Sequence, residues 1–258
     1  MEKIIFFGNG PLAEYALKVL EKHFEVVFHA RERGDLDAVK KLKSSHPELH
    51  GVLASYGVMI KEDVLELFEP EGILNIHPSL LPKYRGASPI ESAILNGDTE
   101  FSVSVMKLVK AMDAGPLYYQ TTISGLPMNK AEIYKALAET GAKWISNNLT
   151  NLPEPVAQDD ASATFTEKLE KSMSKINPAT ETAEAIYRKI VALQGFPKVK
   201  YTFYGLNCII LEAHILKQGE TALIPLECKD GVLSIDRLQP ESKKPMDAKS
   251  FLNGYAKN

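Results

Sequence analysis

The 258 residues contain two cysteines, one tryptophan and no excess of positive charge, and each shortage narrows the function. Cys208 and Cys228 do not stand at redox or metal-binding spacing, so they read as two small residues of a reduced protein. Thirty Lys and Arg against 33 Asp and Glu leave a net charge of −3, so no global basic field marks a nucleic-acid binder. A local basic patch can still serve one. No apolar run approaches the ~18 residues of a membrane span. The N-terminus opens on a short apolar strand, Lys3-Ile4-Ile5-Phe6-Phe7, and lacks the n-region and long apolar core of a signal peptide. A cytoplasmic location follows by elimination. Repeats and low-complexity tracts are missing too.

What is present is a folding chain with 45% hydrophobic and 24% charged residues. The first half alternates extended apolar runs with stretches of helical spacing. Ile4–Phe7, Val26–Phe28, Gly51–Ala54 and Ile73–Ile76 read as strands. Leu12–Leu20, Asp35–Lys43 and Lys61–Phe68 read as helices between them. This rhythm predicts an α/β domain with a parallel sheet covered by helices on both faces, whose ligands bind beyond the carboxyl ends of the strands. A helix over Ala87–Leu95, strands at Phe101–Val105 and Leu117–Ile123, and a long helix capped by Asn129 complete it.

The pattern changes after Leu152. Pro153-Glu154-Pro155 breaks the chain, and Gln158–Ser162 is polar enough for a linker. A helix over Thr182–Leu193 follows. Short strands at Lys200–Tyr204, Cys208–Leu216, Ala222–Glu227 and Val232–Arg237 then suggest a small β-barrel, with Asp230-Gly231 as a hairpin turn. The expected division is a domain over residues 1–156, a linker over 157–175 and a second domain over 176–258.

Three groups of residues carry possible chemistry. Gly8-x-Gly10-x-x-Ala13, between a strand and a helix, is either a tight turn or part of a dinucleotide fingerprint. The acidic partner of such a fingerprint is not at the end of the second strand, where His29-Ala30-Arg31 stands instead. His46 and His50 have i, i+4 spacing, but Pro47 disfavours a helix through them, and no metal site is expected. The third group is Asn75-Ile76-His77-Pro78-Ser79-Leu80-Leu81-Pro82. In an extended chain Asn75 and His77 point the same way, and Pro78 keeps His77 out of the α region. This is either a polar strand exit or a pair of hydrogen-bonding groups at a ligand-bearing edge. Asp113 follows a predicted strand, and a parallel topology would bring its loop to the same edge. An amide, an imidazole and a carboxylate gathered there suit acyl transfer to an amine, in which a carbonyl oxygen gains charge and an amine loses a proton.

The run Asn75-x-His77-x-Ser79-Leu80-Leu81-Pro82-x-x-Arg85-Gly86, with Pro89 and then Asp113-x-Gly115, resembles the folate-dependent formyltransferases. The resemblance implies catalytic roles for Asn75, His77 and Asp113. It assigns Ser79, Leu80, Leu81 and Pro82 to the tetrahydrofolate cofactor. Lys168-Leu169, Ile176-Asn177, Gly195-Phe196-Pro197 and the run Leu238–Met246, then Phe251–Gly254, are similar to the branch of that family whose acceptor is initiator methionyl-tRNA. It implies a Rossmann-like catalytic domain with a parallel-rich sheet, 10-formyltetrahydrofolate as donor and an OB-fold-like C-terminal barrel that binds tRNA; no metal and a monomer are expected. Arg188, Lys189, Lys198, Lys200, Lys243 and Lys244 are candidates for gripping RNA backbone. The chain departs from that branch in being shorter between the second and third strands, where Arg31–His50 replaces an insertion that contacts the tRNA acceptor end. Arg31 and Arg33 are candidate remnants of it. An amino-sugar nucleotide is therefore an alternative acceptor. An NADP-dependent oxidoreductase using Gly8, Gly10 and Arg31 is the alternative from another class.

Overall fold

Short apolar runs bounded by turn residues become strands here, and the amphipathic stretches between them cover the sheet. In the computed structural model, which describes Met1–Tyr255, β1 (Lys3–Gly8), β2 (Glu25–Ala30), β3 (His50–Ala54) and β4 (Ile73–His77) are parallel neighbours. β5 (Phe101–Lys107) and β6 (Leu117–Ile123) extend the sheet antiparallel, giving the order β2-β1-β3-β4-β5-β6. The sheet is thus mixed and mostly parallel.

Strand alternation sends successive side chains to opposite faces. Ile5, Phe7 and Ile73 join one core with Val39 of α2 (Leu36–Ser45), Val64 of α3 (Glu62–Leu65) and Phe68. Burying each such side chain contributes about 1.5–3 kcal/mol. α1 (Pro11–Leu20) and α5 (Lys130–Asn148) pack on each other, and α5 also packs on β4 and β5. Asn129 starts α5 by accepting from the Ala131 and Glu132 amides at 3.0 and 3.3 Å. Such a cap is worth about 1 kcal/mol. The turn from β1 into α1 is a packing device: a Cβ on Gly8 would stand 2.4 Å from the Ala54 carbonyl oxygen and 2.7 Å from the Ala13 Cβ.

The chain divides into two compact units, residues 1–90 with 99–167, and residues 91–98 with 168–258. α4 (Pro89–Asn96) therefore contributes mainly to the second. That unit contains α6 (Ala183–Ala192), capped by the Thr182 hydroxyl, and an antiparallel sheet of β7 (Lys200–Phe203), β8 (Leu206–Ile215), β9 (Pro225–Glu227), β10 (Val232–Pro240) and β11 (Met246–Asp247). The order β11-β10-β8-β7, with β9 also on β10, describes an antiparallel half-barrel among the described residues, in keeping with the small barrel-like second domain that the strand spacing suggested. Cys228 N–H donates to the Gly231 carbonyl at 2.8 Å and closes the turn between β9 and β10. α7 (Ala248–Tyr255) was not expected, because its period offers little beyond the buried Ala248 and Phe251; docking on β10 supplies the rest.

The expected linker is only partly a linker. Backbone and side-chain hydrogen bonds tie Val156, Gln158, Thr164 and Thr166 into the first unit. Composition reads polarity as looseness, whereas these polar groups are engaged by loop carbonyls and amides.

Candidate active site

Asn75 and His77 lie on the last turn of the pleat in β4, on the face that carries Ile73. Both are about 5% exposed. The His77 Nε2 stands 3.1 Å from the Tyr84 carbonyl oxygen. A carbonyl only accepts, so Nε2 carries a proton and Nδ1 faces the other way. There Asp113 Oδ1 lies 3.7 Å off, close enough for charge attraction but longer than a hydrogen bond. The second oxygen, Oδ2, accepts from the Gly86 N–H at 2.7 Å. The Asn75 side chain is largely buried, but its polar atoms are not sealed off without a partner, since every fully buried side-chain N or O atom among the described residues has one.

Asp113 reaches His77 by a route other than the expected parallel topology. β5 is antiparallel to β4, with Leu74 opposite Lys107 and His77 opposite Ser104. The loop after β5 therefore leaves at the far end of β4 and returns along its face. Leu108 N–H donates to the Ile73 carbonyl at 2.8 Å and its side chain packs on the Ile73 cluster. The return requires a glycine at 115, since a Cβ there would lie 1.8 Å from the Lys107 carbonyl oxygen. Asp113 itself stands at φ +49°, a left-handed conformation that aspartate tolerates better than most residues.

The Ser79–Pro82 segment is held from beneath. Ser104 Oγ donates to the Ser79 carbonyl at 2.6 Å and accepts from Leu81 N–H at 3.1 Å. Gln120 donates to the Leu81 carbonyl at 2.7 Å, and Ser79 Oγ donates to the Lys83 carbonyl at 2.7 Å. Leu81 is buried, whereas Leu80 is 44% exposed. Sequence reasoning missed Tyr84, Ser104, Gln120 and Gln158 as parts of this site. Only the alternation Thr164-Phe165-Thr166 hinted that the later stretch pairs with something.

The other candidates fall elsewhere. Gly10, at φ +80°, precedes α1 in a turn without a side-chain cap. His29 donates Nε2–H to the Gly8 carbonyl at 2.9 Å, and its Nδ1 accepts from Arg31 Nε at 3.3 Å. Arg31 and Arg33 are exposed. His46 pairs with Glu48 at 3.3 Å, and the described residues contain no group of three or more potential ligands for a metal ion. In the second unit Arg188 pairs with Glu184 at 2.9 Å and Lys189 with Glu181, so both cations are engaged. Lys198 is half-buried, and Lys200, Lys243 and Lys244 are exposed; Lys200 and Tyr201 line an open cleft with Asn207 and Glu241. No helix among the described residues is long and apolar enough to cross a membrane.

Comparison with known proteins bears on this geometry. A family model described as formyl transferase matches residues 10–149, and one described as formyl transferase, C-terminal domain, matches residues 168–256. A methionyl-tRNA formyltransferase of Dictyoglomus turgidum is 33% identical over 268 aligned positions, covering 96% of this chain and 83% of its own. Among solved structures, HypX from Aquifex aeolicus in complex with tetrahydrofolic acid superposes with a TM-score of 0.75 at 16% identity, covering 100% of this chain and 48% of its own. WlaRD, a sugar 3N-formyl transferase solved with dTDP and 5-N-formyl-THF, gives a TM-score of 0.65 at 17% identity, covering 95% of this chain and 99% of its own. At such identities the two structures speak to the fold alone.

Proposed function

Because the chain belongs to the formyl transferase family, we propose that it moves the formyl group of 10-formyltetrahydrofolate onto the amino group of initiator methionyl-tRNA. The chemistry rests above all on one observation: a buried imidazole held between the Tyr84 carbonyl and Asp113, with the Asn75 amide beside it. The acceptor rests on the Dictyoglomus turgidum relative, which is similar through both domains. The residues present fit a folate donor. Asn75 sets a hydrogen-bonding carboxamide two residues before His77 on the same strand face, and Leu80 adds an exposed apolar side chain on the loop Ser79–Pro82.

The donor supplies a formyl carbon bonded to a nitrogen leaving group. Asn75 donates an amide N–H to the formyl oxygen as charge builds there, and His77 can add Nδ1–H when that nitrogen is protonated. Such donors are fixed in advance by the fold, so little reorganisation accompanies the reaction. The gap of 3.7 Å between Nδ1 and Asp113 Oδ1 leaves either group able to turn to a reactant. Asp113 faces the imidazole and relays the proton that the attacking amine gives up, directly or through water, to the folate nitrogen that leaves as the new bond to the acceptor forms. The Gly86 amide holds its other oxygen and so fixes its direction.

The test is a filter assay with charged initiator tRNA and 10-formyltetrahydrofolate. Formyl-methionyl product is expected; its absence overturns the acceptor assignment. The second reading, an amino-sugar nucleotide acceptor, draws on the short stretch between β2 and β3, which holds only α2 and a 3-10 turn over Arg33–Asp35. Formylation of such a nucleotide without any of the tRNA would decide for it.

A further inference from the structure

The stretch after α5 runs past both loops that carry the catalytic groups. Val156 and Leu117 exchange backbone hydrogen bonds at 2.7 and 2.8 Å. Two residues on, the Gln158 amide nitrogen donates to the carbonyls of Asp113 and Gly115, at 2.8 and 2.7 Å. Its oxygen accepts from Arg85 Nε and Nη2, at 3.1 and 2.8 Å. Both donors and both acceptor positions of this carboxamide are therefore used. Arg85 is only 4% exposed, and its Nη2 also reaches Asp160 Oδ1 at 2.6 Å. Further along, Arg85 N–H donates to the Thr164 carbonyl and Thr166 N–H to the Arg85 carbonyl, each at 2.8 Å. Tyr84 N–H donates to Thr164 Oγ1 at 2.9 Å.

Two separate loops are stitched together by this strap. One is the turn Tyr84–Gly86, whose Tyr84 carbonyl fixes the His77 ring. The other presents Asp113 from a left-handed backbone conformation, which persists only where its surroundings hold it. We propose that Gln158 is a positioning residue for formyl transfer: it locks the Asp113 loop to Arg85 and so sets the distance from the carboxylate to His77. The proposal rests on the formyl-transfer reading above. Glutamine suits the task because it bridges unlike partners. A carboxylate would satisfy Arg85 but turn lone pairs on two carbonyl oxygens, and an aliphatic side chain would take from Arg85 Nε its acceptor and leave the guanidinium to Asp160 alone.

Gln158→Glu tests this, since it keeps the size and the Arg85 contact but replaces the two donors with a charged acceptor facing the carbonyls of Asp113 and Gly115. The expected result is a fall in kcat of about 10–10²-fold, the scale of a small misplacement of a reacting group. KM for donor and acceptor should stay within about twofold, as for an interaction felt only in the transition state. The Gly86 amide, which donates to Asp113, should exchange its hydrogen faster in the same variant. Gln158→Asn, too short to bridge, should behave alike and serves if the first variant does not fold. Unchanged kcat with unchanged Gly86 exchange overturns the proposal, and so does a loss of activity that only tracks the unfolded fraction. A parent that forms no formyl-methionyl-tRNA overturns the acceptor reading instead. In that case Gly86 exchange still decides whether Gln158 holds the loop, and an amino-sugar nucleotide acceptor supplies the rate.

Discussion

Two histidines near strand ends of one sheet have the same first partner and opposite second ones. Each donates Nε2–H to a backbone carbonyl, His29 to Gly8 at 2.9 Å and His77 to Tyr84 at 3.1 Å. The His29 Nδ1 faces a donor, Arg31 Nε, and the ring is satisfied as a neutral base. The His77 Nδ1 faces an acceptor, Asp113, with Asn75 nearby. Around β2 the polar groups saturate one another, including Asp35, which accepts from the Arg31 and Glu32 amides at 2.6 and 3.0 Å. Around β4 the hydrogen bonds brace the loops and leave the reactive atoms open. The fold offers polar residues at both places; the proposed chemistry sits at the one whose groups remain unspent.

Substitutions can break or sharpen that contrast. The largest effect is expected for His77→Ala, with a loss of about 10²–10⁴ in single-turnover rate from its general and electrostatic roles. His29→Ala should leave that rate unchanged; a comparable loss in both would erase the distinction. Asn75→Ala should lower kcat by about 10²–10³, the usual effect of removing one oxyanion donor. Its thermal midpoint should hold near the parent's, because the amide is placed as a donor to the reactant. Gly8→Ala should act in the opposite way. It forces a methyl against Ala54 and Ala13, and overpacking of this kind costs about 1–3 kcal/mol, read as a lower urea midpoint.

Smaller effects belong to the exposed groups. Arg31→Ala should raise KM for the RNA acceptor roughly two- to fivefold, within the range of exposed charge contacts, and leave kcat alone. For Asp35, the backbone amides of Arg31 and Glu32 hold the carboxyl below its ordinary value of 3.8. A carboxyl depressed in the fold stabilises it above the unfolded value and loses that contribution as pH falls through the folded one. Asp35→Asn should therefore lower stability slightly at neutral pH, by about 0.5 kcal/mol or less after solvent screening. Below the carboxylate range the difference between variant and parent should vanish in acid titrations of the thermal midpoint.

Much of this was legible in the sequence because it is local. The Asn75–Pro82 run is contiguous, and an extended chain before a proline sets the side chains of Asn75 and His77 without help from elsewhere. The cap Asn129 is legible for the same reason, whereas Thr182, expected as the first residue of its helix, caps it instead. Asp113 was legible as a residue type at a suggestive place, but not its path, since the reversal of β5 depends on strand pairing across the sheet. Gln158 was not legible at all. Its role exists only where three distant loops meet, and its neighbours Asp159 and Asp160 read as solvent-loving chain. α7 went unseen because one buried phenylalanine leaves no period to detect.

The claim at the centre is that His77 and Asp113 act as one unit in transferring a formyl group. Single-turnover transfer by His77→Ala, Asp113→Ala and the double variant addresses it most directly. The account predicts that the double variant is hardly slower than the worse single one, as for residues that work together. Losses that multiply would contradict it, because they would mean that the imidazole and the carboxylate serve the reaction independently.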